Sequence, residues 1–540
     1  MIAETIHLWW PRSDLGRLPG LAEHQVGGCH ATLGPTTLLR MKTLALSFLI
    51  YYTAVLAVIG IYGLHRYWLV WVFWRSRRRR GETEPTKLFE RLPRVTVQLP
   101  MFNERHVAKR VIEAACAIDY PRDLLEIQVL DDSTDESAQI AQRHCAQMAA
   151  AGHDVRYIHR TNRAGFKAGA LANGLKSAKG EFIAVFDADF VPPTDILQRT
   201  IHQFSDPQIG MVQTRWAHLN RDDSILTQVQ AMVLDGHFIV EQTARASTGR
   251  WFNFNGTAGI WRASCIEDAG GWQHDTLTED TDLSYRAQLN GWRFKYLGDV
   301  TCPAEVPPTV SAFMGQQHRW NKGLTQTAIK LLPRIMRSDA PLATKVEAFF
   351  HLTAPVPYVA VLLLVVLALP ALFVATPLYE VRVLAVLSVG SLCLVLGTVA
   401  ACTFCVVSQC AQKISFWRTI LRLPALMAIG VGINVLNTKA TVEALLGRQS
   451  PFVRTPKYAG GHESDPDPVL NGRRRRIPSG LIELGLAGLM LACVAISISR
   501  PYVVVGVPFL LLFAAGYLAI GVPSLRQSFA RRPRSRISPT

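Results

Sequence analysis

The sequence is poor in charged residues and in paired cysteines. Only 18% of its 540 residues are charged, whereas 49% are hydrophobic, and this balance is typical of membrane proteins. The ten cysteines are scattered, and the single CxxC pair, Cys402 and Cys405, lies inside an apolar run. This spacing argues against a disulfide framework and against a zinc site, and we expect the cysteines to be reduced or lipid-facing.

Positive charge is concentrated beside apolar segments. The formal net charge is +16. Groups of five, four and five arginines supply most of it, and they lie within residues 75–80, 473–476 and 526–536. Basic clusters beside apolar segments indicate membrane orientation and contact with anionic lipid. We therefore expect a lipid bilayer as a partner, and no nucleic acid.

Five apolar segments are long enough to cross a bilayer, which takes about 20 helical residues. The first lies within residues 44–74, two more lie within 345–410, and the last two lie within 481–524. Residues 1–43 are polar and irregular. We expect them to be disordered, or to lie upstream of a translation start at Met41.

Segment 416–447 is apolar but carries Arg418, Arg422, Asn434 and Glu443. We interpret it as an amphipathic helix, or a broken helix pair, lying at the cytoplasmic interface. With five crossings, the arginine clusters and the basic tail 525–540 all lie on the cytoplasmic side, as the positive-inside rule prefers. The sequence therefore predicts a multi-pass protein of the cytoplasmic membrane, or its equivalent, with residues 92–335 in the cytoplasm.

Strands and helices alternate from residue 94 onward. Apolar and β-branched runs predict strands at 95–99, 127–130, 155–158 and 182–186, with helices over 106–118, 135–150 and 165–177. Such alternation predicts a parallel, doubly wound α/β sheet. Ligands bind such sheets at the carboxyl ends of the strands.

Four polar groups follow predicted strands or lie on predicted helices. They are Asp131 with Asp132, Asp187 with Asp189, Thr278 with Glu279 and Asp280, and Gln316 with Arg319 and Trp320. The last three residues are spaced three and four apart, so a helix would present them on one face. An arginine there can neutralise a diphosphate, and a tryptophan can stack on a sugar ring.

The carboxylates have both a structural and a chemical interpretation. Asp187 and Asp189 offer two hard oxygen ligands that suit Mg²⁺ or Mn²⁺ holding a diphosphate, although a lone DxD is often only a turn. Asp280 could cap a helix or act as a base aimed into a cleft. Asp282, two residues later, is expected on the helix surface.

The order of these groups is the D, DxD, D, QxxRW pattern, and the chain resembles membrane-embedded family-2 glycosyltransferases. Within that family it resembles the cellulose-synthase-like A and C groups through residues 98–104, 128–135, 165–171, 212–216, 254–261 and 316–320. The resemblance covers about residues 92–335. In the loop 448–478, residues 452–457 (FVRTPK) are similar to the FxVTPK gating loop of cellulose synthases, with Arg454 in place of the family's valine.

The resemblance implies a GT-A-type catalytic domain and a role for each matched residue. Asp280 would be the catalytic base, and Asp187 and Asp189 would hold the metal. Donor binding would involve Asp131, Asp132, Lys167, Asp187, Asp189, Arg319, Thr455 and Lys457. Acceptor binding would involve Gln316, Trp320, Thr278 and Glu279.

The leading hypothesis is a processive, inverting synthase of a β-1,4-linked polysaccharide, which would also pass its product through the membrane. GDP-mannose is favoured as the donor over UDP-glucose, and the acceptor would be the growing polysaccharide. One alternative is a non-processive enzyme that adds a sugar to a membrane lipid. Another, of a different class, is an inactive polysaccharide-binding or transport protein.

Overall fold

The computed structural model of the chain describes residues 35–76, 85, 87–375, 381–450, 480–498 and 506–530. The chain divides into a unit that ends at Leu46 and a second unit that begins at Ser47. The strands are β1 Val95–Met101, β2 Leu125–Asp131, β3 Asp154–His159, β4 Phe182–Val185, β5 Ile209–His218, β6 Gly259–Arg262 and β7 Arg293–Ala304.

Helices occupy most of the remaining described chain. They are α1 Pro35–Ser76, α2 Ala108–Cys116, α3 Ser137–Ala150, α4 Phe166–Leu175, α5 Ile196–Thr200, α6 Ile225–Asp235, α7 Thr243–Ser247, α8 Ala263–Asp268, α9 Glu279–Leu289, α10 Val310–Arg337, α11 Leu342–Leu352, α12 Val356–Ala375, α13 Val381–Ala411, α14 Phe416–Gly432, α15 Asn434–Leu445, α16 Leu481–Ile498 and α17 Val507–Ala530. A 3₁₀ segment spans Ile201–Ser205, and a π-helical segment spans Gly236–Gln242.

The first four strands confirm the predicted βα alternation. Strands β1 to β4 run parallel in the order β3-β2-β1-β4, and helices α2, α3 and α4 connect them. Their bounds differ from the predicted ones by at most two residues. Since the carboxyl ends of parallel strands share one edge, Met101, Asp131 and the residues after Val185 meet there.

The second half of the sheet is mixed, so the predicted parallel arrangement holds for β1 to β4 but not for β6. The full order is β3-β2-β1-β4-β6-β5-β7, and β6 pairs antiparallel with both β4 and β5. The chain leaves β5 and enters β6 at the same end of the sheet, which makes the two strands antiparallel without a crossover. As a result, the loop that precedes Gly259 lies at the edge where β4 ends.

Apolar side chains cover both faces of the sheet. One cluster contains Val97, Ile112 and Phe186, and the other contains Leu171 and Trp261, all almost fully buried. Burial on both faces explains why β4 reads as a continuous apolar run.

Among the residues that the structure describes, six helices are long and apolar enough to span a membrane, judged by length and composition. They are Lys42–Ser76, Val356–Phe373, Ser388–Ala411, Phe416–Leu445, Leu481–Ile498 and Val507–Gln527. Five correspond to the predicted crossings. The sixth covers the segment predicted to lie at the interface, where α14 and α15 are separated at Ile433. This break matches the broken helix pair, while its interfacial position stays a prediction.

Candidate active site

The carboxyl edge of the sheet, the start of α9 and one face of α10 enclose a cleft of about 180 Å³. Ten of the residues singled out from the sequence line it. They are Asp132, Lys167, Asp187, Asp189, Thr278, Glu279, Asp280, Gln316, Arg319 and Trp320. Asp131 does not line the cleft, and Thr455 and Lys457 lie outside the described residues. The tertiary structure thus brings segments up to 188 residues apart in sequence (132 to 320) into one site.

Asp187 forms an ion pair at the end of β4. Its Oδ1 lies 2.5 Å from Nζ of Lys167, and its backbone N–H donates to Oγ1 of Thr257 at 2.8 Å. Lys167 also donates to the carbonyl oxygen of Gly256 at 2.8 Å. Burial lowers the pKa of Lys167, but the negative charges of Asp187 and Glu279 outweigh it and leave the pKa above its ordinary value. Lys167 is therefore a cation in this site.

Asp189 is the second carboxylate of the DxD sequence and is only 4% exposed. Its backbone carbonyl accepts a hydrogen bond from Nη2 of Arg110 at 3.3 Å, and Nη1 of that arginine lies 2.7 Å from Glu305. These contacts anchor the turn after β4. The two carboxylates consequently line the same cleft on a fixed piece of backbone.

Asp280 lies in the first turn of α9 and does not cap the helix. The N-cap position is Thr278, which makes no side-chain capping bond, whereas Oδ1 of Asp280 accepts from the N–H of Thr281 at 2.7 Å. Burial, together with the neighbouring negative charge of Glu279, raises the pKa of Asp280 to about 7. A carboxyl group with a pKa near neutrality suits proton transfer at physiological pH.

Arg319 supplies positive charge opposite these carboxylates. Gln316, Arg319 and Trp320 all face the cleft from α10, which confirms that they share one helical face. One turn later, a Cβ atom on Gly323 would lie 2.6 Å from Cγ2 of Thr278. The close approach of α10 to the start of α9 thus requires a glycine. Burial lowers the pKa of Arg319, although the negative charge of Glu279 opposes that shift.

Asp131 and Asp132 stabilise the turn after β2. Asp131 is 1% exposed and accepts hydrogen bonds from the N–H of Ser133 at 2.9 Å and from the hydroxyl of Tyr157 at 2.8 Å. Asp132 receives two bonds from Arg160, at 2.7 and 2.5 Å. Only Asp132 lines the cleft. A role of either residue in nucleotide binding stays a prediction.

Asp282 is buried, so its predicted place on the helix surface is wrong. It is 0% exposed, and its carboxylate lies 2.8 Å from Nε of Arg286 and 2.8 Å from Nζ of Lys330. Helix α9 packs between the sheet and α10, so its polar positions are enclosed as well as its apolar ones. The acidic run in the sequence gives no indication that Asp282 is buried.

The loop 255–257 is a part of the site to which the sequence assigned no role. Asn255 and Gly256 line the cleft, Gly256 has a φ of +83°, and Thr257 holds Asp187. Trp216 and His218, at the end of β5, also line the cleft. The sequence signals for this part were the family resemblance of residues 212–216 and 254–261 and the glycine at 256, since a left-handed backbone favours glycine.

Residues 93–323 match the protein family described as "Glycosyltransferase like family 2". Glucomannan 4-beta-mannosyltransferase 2 of Arabidopsis thaliana is 37% identical over 419 residues, which cover 74% of this chain and 75% of that protein. The chain belongs to the family-2 glycosyltransferases. Within this family it falls in the cellulose-synthase-like group, and it is an enzyme of the hexosyltransferase type.

Other relatives of this glycosyltransferase match over shorter stretches. Probable glucomannan 4-beta-mannosyltransferase 11 of Oryza sativa is 47% identical over 251 residues, which are 46% of this chain and 44% of that protein. Among solved structures, a mannosyltransferase of Pyrobaculum calidifontis in complex with GDP-Man and Mn²⁺ is 22% identical. That alignment covers 74% of this chain and 100% of the other, with a TM-score of 0.49.

Proposed function

We propose that this glycosyltransferase makes a β-1,4-linked mannan backbone from GDP-mannose. The proposal has two supports. The relatives that match at 37–47% identity are named as glucomannan 4-beta-mannosyltransferases. The observation that carries the chemistry is one cleft in which Asp187 and Asp189, Asp280, and the Arg319 and Trp320 face of α10 converge.

In the proposed reaction, Asp280 is the base and the diphosphate is the leaving group. The acceptor hydroxyl oxygen forms a bond to the anomeric carbon of the donor sugar as the bond from that carbon to the phosphate oxygen breaks. The hydroxyl proton passes to Asp280, and the electron pair of the broken bond leaves with the nucleoside diphosphate. Lys167 and Arg319 stabilise the charge that develops on that diphosphate. A single direct displacement converts an α-linked donor into a β-linked product.

The carboxylates Asp187 and Asp189 fit a divalent cation such as Mg²⁺ or Mn²⁺. Both are hard oxygen donors on the cleft wall, and among the described residues no cluster of three or more His, Cys, Asp or Glu side chains forms a complete cage. Two protein ligands leave the remaining positions to phosphate oxygens and water, as is usual for Mg²⁺ beside nucleotides. The ion would neutralise the leaving diphosphate. Lys167, which pairs with Asp187, would then contact the same carboxylate that holds the ion.

We further propose that synthesis is processive and that the product crosses the membrane. Helix α10, which carries Trp320, packs against α15, and the fully buried Lys322 lies 3.3 Å from Oε2 of Glu443. The helix that carries the proposed acceptor residue Trp320 thus packs directly against the apolar helices. The distribution of arginines in the sequence supports a position of the cleft on the cytoplasmic side, because positive charges prefer that side.

The decisive experiment supplies labelled donors to membranes that contain the full chain. GDP-mannose and UDP-glucose are tested separately, and the products are treated with β-1,4-mannanase or cellulase. We expect mannose in a long polymer that mannanase degrades, and no product from an Asp280→Asn variant expressed at the same level. Incorporation of glucose into a cellulase-sensitive polymer would refute GDP-mannose as the donor. A product with a single sugar on an extractable lipid would refute the proposal that the enzyme makes a polymer.

A further inference from the structure

The π-helical segment Gly236–Gln242 joins the active-site loop to a buried chain of charged groups. His237 is at the centre of this arrangement. Its Nδ1 lies 2.9 Å from Oε2 of Glu241, and its Nε2 lies 2.8 Å from Nδ2 of Asn255. Asn255 is a wall residue of the cleft. The π-helical turn, a feature frequent at functional sites, therefore places a titratable ring directly behind the active site.

The hydrogen bonds around Asn255 determine which proton His237 carries. Nε2 of Gln242 donates to Oδ1 of Asn255 at 2.7 Å and to the carbonyl oxygen of Asn253 at 3.0 Å. The oxygen of the Asn255 amide therefore faces Gln242, and its NH₂ group faces His237. Because an amide nitrogen can only donate, Nε2 of His237 must accept with its lone pair. His237 is consequently neutral, with its proton on Nδ1 and donated to Glu241.

Glu241, which accepts this hydrogen bond, is an ionised carboxylate. Burial raises the pKa of Glu241, but the charge of Arg245 and the hydrogen bond from His237 outweigh it and hold the pKa far below its usual range. Nη1 of Arg245 lies 3.5 Å from Glu241, and its Nε lies 2.9 Å from Glu347, whose other oxygen lies 3.0 Å from Nε2 of His65 in α1. Glu241, which contacts the ring, is thus linked through Arg245 in α7 and Glu347 in α11 to His65 in α1.

The loop 255–257 transmits this contact to the reacting groups. The N–H of Asn255 donates to Oε1 of Gln213 at 2.9 Å, and Nε2 of Gln213 donates to the carbonyl of Thr257 at 3.0 Å. In the loop held by these bonds, the Gly256 carbonyl accepts a hydrogen bond from Lys167, and the Thr257 hydroxyl oxygen accepts one from the N–H of Asp187. A shift of Asn255 therefore displaces both members of the Lys167–Asp187 ion pair.

We propose that His237 is a positioning residue for the glycosyl transfer. Through its Nε2 lone pair it fixes the Asn255 side chain, and through the loop 255–257 it sets the position of Lys167 and Asp187 against the donor diphosphate. This inference rests on the proposed role of Lys167 and Asp187 in donor binding. It does not depend on whether the donor is GDP-mannose or UDP-glucose.

Two isosteric variants separate the two contacts of the ring. In His237→Gln, the amide oxygen lies near the position of Nε2 and can accept from Asn255. In His237→Asn, the amide lies near the position of Nδ1 and can donate to Glu241 but does not reach Asn255. His237→Ala removes both contacts. All variants are measured as full chains in membranes, with whichever nucleotide sugar the wild type consumes, and rates are normalised to folded protein after detergent extraction.

We expect His237→Gln to keep most of the wild-type kcat/KM. His237→Asn and His237→Ala should lose about tenfold to a hundredfold, the cost of a misplaced reacting group, with a raised donor KM as part of the loss. In an Asn255→Ala background, His237→Ala should add little, since residues that act through one contact are not additive. Equal activity of the Gln and Asn variants, or full additivity with Asn255→Ala, would overturn the proposal. A wild type that consumes neither donor would instead refute the proposed function.

Discussion

Gly256 lies so close to Asp280 that a side chain at position 256 would contact the Asp280 carboxylate. A Cβ atom on Gly256 would lie 3.0 Å from Oδ2 of Asp280 and 3.5 Å from Nζ of Lys167. Gly256 also has a φ of +83°, a conformation that residues with a side chain rarely adopt. The glycine therefore keeps open the gap between the proposed base and the cation that faces the diphosphate.

Gly256→Ala should reduce activity by about tenfold or more, because the new methyl group displaces Asp280 or Lys167. Gly249→Ala is the matched control, since Gly249 also has a positive φ, of +64°, but a Cβ there meets nothing within 4 Å. Both variants carry a backbone strain of about 1–2 kcal/mol from the left-handed conformation. Initial rates at equal amounts of folded protein test this, and equal losses in the two variants would contradict the crowding argument.

Activity should fall as the pH drops below about 7. The proposed base must be ionised to accept a proton, and burial together with the charge of Glu279 raises the pKa of Asp280 to about 7. Glu279→Gln removes that neighbouring negative charge, so the pKa of Asp280 should fall and the acid limb should move to lower pH. The measurement is kcat/KM against pH for both proteins. A limb that moves to higher pH in the variant would exclude Asp280 as the titrating base.

Removal of divalent ions should abolish activity. EDTA would strip the ion proposed at Asp187 and Asp189, and added Mg²⁺ or Mn²⁺ should restore the rate. Asp189→Asn should require a higher Mn²⁺ concentration for half-maximal activity, because one anionic oxygen ligand is lost. Asp195→Asn is the control, since Asp195 is half-exposed and pairs with Arg199 outside the cleft. Undiminished activity in EDTA would refute the metal site.

Asp282→Asn should destabilise the protein. The carboxylate is fully buried between Arg286 and Lys330, and removal of one partner of a buried ion pair typically costs about 3–5 kcal/mol. Asp275→Asn is the matched control, because Asp275 also pairs with Lys330 at 2.8 Å but its side chain is 57% exposed. An exposed pair contributes at most about 1 kcal/mol. Thermal unfolding in detergent should show a large shift for the first variant only.

The sequence by itself determined the local features of this protein. The alternation of strands and helices up to β4, the apolar segments and the face shared by Gln316, Arg319 and Trp320 all follow from periodicities of a few residues. The four polar groups were visible for the same reason, since each is a short motif. Their assembly into one cleft followed from the family resemblance and from the rule that strand ends share an edge.

Only the tertiary structure decided how distant segments meet. The reversed direction of β6, the burial of Asp282 and the contact of His237 with Asn255 depend on pairings between residues far apart in the chain. Such pairings leave no periodic signal, because side chains that touch in space need share no local pattern. Asp280 lies in an acidic run that a solvated helix would also have, and its burial in the folded chain, together with the charge of Glu279, gives it a pKa suited to a base.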